Sequence, residues 1–116
     1  VERMPEKDKN VTIDINGFMN DSFIGTRHAG NVLYEQIEKM YRDGVNVVTL
    51  DFGGILTISK SAADAIMSQL TEARGITFIK NRLKLVNEGD DIRTLLNNAI
   101  IAKKKEMEDC KNIPRG

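Results

Sequence analysis

The sequence predicts an α/β fold in which helices pack on a sheet with substantial parallel pairing. Strand-like runs with a period of two, or with nearly continuous apolar character, alternate along the chain with helical stripes of period three to four. Read in order they give strand, short strand, helix, strand, helix, strand, helix, about four strands and three helices. Such an alternation implies βαβ crossovers. In the segment from Val45 to Phe52, Val45, Val47, Val48, Leu50 and Phe52 form an apolar run with little polar relief, as expected of a strand covered on both faces by helices.

The elements follow in turn. Residues 1–10, charged and interrupted by Pro5, are expected to form a flexible N-terminal arm. Val11, Ile13 and Ile15 alternate with polar residues and predict a half-buried strand. Asn16-Gly17 reads as a turn that leads into a second short strand over 18–24, closing a hairpin. Thr26 is a capping residue for a first helix whose stripe is Ala29, Val32, Leu33, Ile37, Met40 and Tyr41, with Gly44 just past its end. Glu35–Lys39 and Glu38–Arg42 are spaced as i,i+4 pairs on it, worth about 0.3 kcal/mol each when exposed.

The apolar strand over 45–52 comes next, then a loop over 53–60 and a second helix from Ser61 to Gly75. Ile76–Ile79 is apolar with no decisive period. Leu83, Leu85 and Val86 mark a further strand. A third helix from about Glu88 has Asp90 and Asp91 in its first turn and Lys103–Lys105 near its end, matching the helix dipole. The single domain is expected to span 11–105, followed by a polar C-terminal tail over 106–116.

Composition narrows the function. Seventeen basic and seventeen acidic residues cancel among 116, so no net field attracts nucleic acid or an anionic membrane. The chain has no tryptophan, and its few aromatic residues do not alternate with basic ones as a base-stacking surface requires. One cysteine, Cys110, and one histidine, His28, cannot make an internal disulfide or a metal site of the usual Cys/His kind. No apolar run approaches the length of a membrane span, and a cytoplasmic protein is the expectation.

The richest segment is VNVVTLDFGGILTISKSAAD, residues 45–64. In parallel sheets the loops at strand C-terminal ends carry function, and the loop over 53–60 lies at such an end. Ser61 and Asp64 have the spacing of a capping box, in which the serine oxygen accepts an amide and the acid reaches back. The same hydroxyl, at an exposed helix start, suits phosphorylation, because a phosphate there meets unpaired amides and the positive dipole end, with Lys60 beside it. Asp51, at the end of its strand, either holds loop amides or contacts a ligand. Gly53-Gly54 lacks the spacing of a phosphate-binding loop. No base is visible that would activate Ser59 or Ser61 as a nucleophile with Asp51, so an enzyme such as a small hydrolase ranks last.

The run LDFGG followed by ISKSAAD, with Thr26-Arg27 opening the preceding helix, resembles the STAS-like domains, divergent relatives of the STAS domains of bacterial anti-sigma-factor antagonists. The resemblance extends from Val11 to Ile100. It implies a mixed sheet of about four strands flanked by about three helices, with no catalytic residue, cofactor or metal. It further implies a cytoplasmic signalling role, as a monomer or weak dimer, in which the domain docks a partner ATPase and kinase of the GHKL type. In that family a serine at this helix start is phosphorylated by the partner. By position this serine is Ser61, with Ser59 as second choice. Ser59 stands where the family usually has an acid, and Lys60 and Ala62 replace the common serine and glycine. The expected partner-binding residues are Arg27, Asp51, Gly53, Gly54, Thr57, Ser59, Lys60, Ser61 and Asp64. The alternative is a sensor in which the strand ends and Arg27 enclose a nucleotide or another small anion.

Overall fold

The computed structural model describes residues 10–112. The expected arm over 1–10, apart from Asn10, and the last four residues of the expected tail lie outside them. The chain runs β1 (Asn10–Asp14), α1 (Ile15–Met19), β2 (Phe23–Ile24), α2 (Arg27–Arg42), β3 (Val47–Asp51), β4 (Thr57–Ile58), α3 (Lys60–Arg74), α4 (Ile76–Arg82), β5 (Leu83–Val86) and α5 (Asp90–Asn112). The α/β architecture is the one expected, with β3 central in a sheet of order β1-β3-β5.

In register, Ile13 stands opposite Leu50, and Leu50 opposite Leu85. Every pairing among the described residues is parallel, including the short pair β2–β4. The antiparallel hairpin expected at Asn16-Gly17 does not form. Asp14 instead caps a short helix by accepting the Gly17 amide, and Asn20 ends it in the left-handed conformation at φ 56°. The chain therefore turns through α1, and only Phe23 and Ile24 are extended. They pair with β4, not back onto β1. That difference removes the antiparallel part of the expected mixed sheet and accounts for one of the two extra helices. The other is α4: Gly75 at φ 87° separates it from α3, and Ile76–Ile79 forms its first part.

β3 is buried on one face and half-buried on the other. Val48 and Leu50 are enclosed, while Val47, Thr49 and Asp51 keep partial exposure. The enclosed face meets a core of Leu33 and Ile37 from α2, Ile66, Met67 and Leu70 from α3, and Ile92 and Leu96 from α5. Helix α3 is flanked by α2 and α5. Gly30 lets α2 approach α3 closely: a Cβ there would lie 2.6 Å from the Ala62 carbonyl oxygen. Neither expected i,i+4 pair forms on α2. Glu38 turns inward and takes two bonds from Arg74 of α3, at 2.8 and 2.9 Å, while Lys39 reaches Asp43. Helix α5 continues without a break to Asn112, so residues 106–112 extend the helix beyond the expected domain end.

Candidate functional site

The three strands of the main sheet end together at Asp14, Asp51 and Val86, which share one register position. The segments leaving this edge are tied by side-chain bonds. Asp51 Oδ1 accepts the Gly53 amide at 2.8 Å and Asn87 Nδ2 at 2.9 Å. The Asn87 bond, then the Gly53 bond, hold the Asp51 carboxyl below its ordinary pKa, since both favour the charged form. Of the two roles open to Asp51, holding the loop is the one seen. Asn16 Nδ2 reaches the carbonyls of Asp21, at 3.1 Å, and Gly54, at 3.4 Å, joining the α1 turn to the 53–56 loop.

That loop is fixed by its backbone. The Ile55 amide closes a turn on Phe52, the Leu56 amide donates to Ser22 at 2.7 Å, and the Ser59 amide donates to Ile24 at 2.9 Å. Phe52, Ile55 and Ile58 are buried beneath it. With those anchors inward, Leu56 projects outward and is 81% exposed. Phe23, in the β2 strand beside it, is 49% exposed, and Phe18 of α1 is 42% exposed. Phe18, Phe23 and Leu56 are thus large apolar side chains left exposed at this end of the domain.

The start of α3 differs from expectation in one respect. Ser59 is the N-cap: its Oγ accepts the Ala62 amide at 3.0 Å. Ser59 is held extended, at φ −82° and ψ 160°, by the bond of its amide to β2, so the helix opens at Lys60. Ser61 therefore lies within the first turn, exposed, and its hydroxyl has no hydrogen-bond partner among the described residues. Asp64 closes no capping box. Its Oδ2 lies 2.8 Å from Nη2 of Arg27, which opens α2 behind the Thr26 cap. The first turns of α2 and α3 are thereby linked.

All nine expected partner-binding residues lie at this end of the molecule. Asp51, Gly53 and Gly54 form the tied base of the loop, Thr57 is exposed beside Leu56, Ser59 caps, Lys60 and Ser61 are exposed, and Arg27 and Asp64 pair. Phe18, Phe23, Leu56, Asn16 and Asn87 were not singled out by the sequence. Phe18 and Phe23 read as strand residues, and Leu56 sits within ILTI, where an apolar run gives no sign of which member points outward. His28 is exposed and apart from the hydrogen bonds of the site. No helix of the described residues is long and apolar enough to cross a membrane.

A parallel α/β domain with a tied loop and two linked helix starts at one sheet edge is the class these features define. A family model described as "STAS-like domain of unknown function (DUF4325)" matches residues 29–93, more than half of the chain. The chain belongs to this family of STAS-like domains. A search of curated proteins and a search of solved structures found no match.

Proposed function

We propose that this domain is a non-catalytic regulatory module that docks a protein partner through the 53–61 loop and the start of α3. The observation that carries the reading is Leu56, 81% exposed on a loop whose backbone is bonded on both sides, beside the β2 strand that carries the exposed Phe23. An apolar side chain on a loop already held in place loses little conformational entropy when a partner covers it. The resemblance to anti-sigma-factor antagonists supplies the kind of partner, an ATPase and kinase of the GHKL type, and a cytoplasmic setting. Ser61 is the control point. Because Ser59 does the capping, a phosphate on Ser61 displaces no structural bond and adds nearly two negative charges at the rim of the surface.

The test is a pull-down from the native cell with wild-type, Leu56→Asp and Ser61→Glu proteins, followed by binding measurements on the purified partner. A GHKL-type ATPase retained by the wild type and lost by both variants, at unchanged melting temperature, supports the reading. Equal binding by all three proteins removes the docking surface, and equal binding by Ser61→Glu alone removes the switch.

A further inference from the structure

A second feature lies on the other flank of α3, where it meets α5. A groove of about 390 Å³ is lined by Lys60 and Asp64 from α3 and by Leu95, Asn98, Ala99 and Ala102 from α5. Its volume falls in the range of small-molecule clefts, which are mostly apolar with a few polar groups that fix orientation. Leu95, Ala99 and Ala102 supply apolar surface, and the two alanines keep the groove open where a larger side chain would fill it. The rim is polar and its charge is unbalanced. Asp64 is already neutralised by Arg27, at 2.8 Å. Lys60 has no carboxylate within ion-pair distance among the described residues, and α3 has no acid in its first turn to supply one. Asn98 adds an amide that can donate to an anion or accept from a hydroxyl.

A cleft lined by three apolar side chains, one unpaired cation, one amide and a carboxylate already paired with Arg27 is complementary to a molecule with an apolar body and a single negative head. We infer that the α3/α5 groove binds a small amphipathic carboxylate, its tail against Leu95, Ala99 and Ala102 and its head on Lys60 and Asn98. A cationic head of the same size would face Lys60 with the wrong sign. The site is independent of the docking reading, because it is assayed without any partner. The two surfaces share Lys60 and Asp64, and an occupied groove would engage the ammonium group nearest the Ser61 hydroxyl in sequence.

Octanoate titrated into the full chain, followed by calorimetry and by amide chemical shifts, tests this directly. Saturable binding is expected, with shifts concentrated on the groove residues of α3 and α5. Octylamine should bind at least roughly tenfold more weakly, since the charge-assisted bond is lost. Lys60→Met, which keeps the stem and removes the charge, should weaken octanoate by about the same factor. Ala102→Phe fills the groove and should abolish binding. Asn98→Asp, on an exposed position that tolerates the change, should do the same by placing a carboxylate beside the head. Octanoate that fails to saturate, octylamine binding as tightly as octanoate, or binding unaffected by Asn98→Asp would each overturn the proposal.

Discussion

Arg27 Nη2 stands 2.8 Å from Asp64 Oδ2, joining the first turns of α2 and α3 across an exposed gap. The pair explains why a cation is tolerated at the start of α2, where it opposes the helix dipole: its partner is the acid of the next helix. Both side chains are about half exposed, so the bond contributes little to folding. Asp64→Ala should lower stability by no more than about 1 kcal/mol in urea denaturation. A loss of several kcal/mol would mean that the pair holds the helices together and not merely their first turns.

The two serines of the segment should separate cleanly. Ser59→Ala removes the cap and should cost about 1 kcal/mol. Ser61→Ala removes no hydrogen bond seen among the described residues and should stay within about 0.5 kcal/mol of the wild type. Denaturant midpoints of the two variants check this. A larger loss at Ser61 than at Ser59 would return the cap to Ser61.

Gly30 is a packing residue. In an isolated helix, Gly→Ala gains about 1 kcal/mol. Here the new methyl would lie 2.6 Å from the Ala62 carbonyl oxygen and 2.9 Å from the Ala65 methyl, so the helices must separate. Gly30→Ala should be destabilising by about 1–3 kcal/mol, the usual range for overpacking. A raised melting temperature would refute the close approach of α2 and α3.

Tyr41 sets an alkaline limit. Its hydroxyl donates to the Arg82 carbonyl, and burial pushes its pKa up to about 12 from 10.0, opposed by the nearby Arg82 and Arg74. In the unfolded chain the phenol ionises first. The stabilisation is therefore complete below pH 10 and is lost as pH rises from 10 towards 12. Tyr41→Phe should remove this portion of the alkaline decline, measured as melting temperature against pH, at the cost of one hydrogen bond.

Much of this fold was legible from local patterns. α2, with Thr26 accepting the Ala29 amide and Gly44 at φ 102° just past its end, formed where its caps indicated, with Leu33, Ile37 and Tyr41 of its stripe buried and Val32 of the same stripe exposed. So did the order of β3, α3, β5 and α5. What was not legible depended on distant partners. Asn16-Gly17 has a turn signature, yet Asp14 caps a helix there, and Asn16 is engaged by a loop 38 residues away. The capping box at Ser61 and Asp64 satisfies its local rule. It fails because β2 fixes the Ser59 backbone and Arg27 takes Asp64. Glu38 was placed with a neighbour on its own helix and found Arg74 on another. The position of the site was readable from the strand end, and its apolar surface was not, because outward and inward leucines look alike in sequence.

The parallel order β1-β3-β5 also sets a schedule for the chain as it leaves the ribosome. Asn10 pairs with Val47, and Val48 with Leu83, so neither outer strand can be matched by a neighbour in sequence. β1 waits for α1, β2 and α2 to be made before its partner exists, and β3 gains its second neighbour only after α3 and α4. Pairing between such distant segments is slow to nucleate and leaves strand edges open meanwhile. The helices α2 and α3, brought close at Gly30, are able to associate, as β1 and β3 are, while the nascent sheet is still missing its last strand.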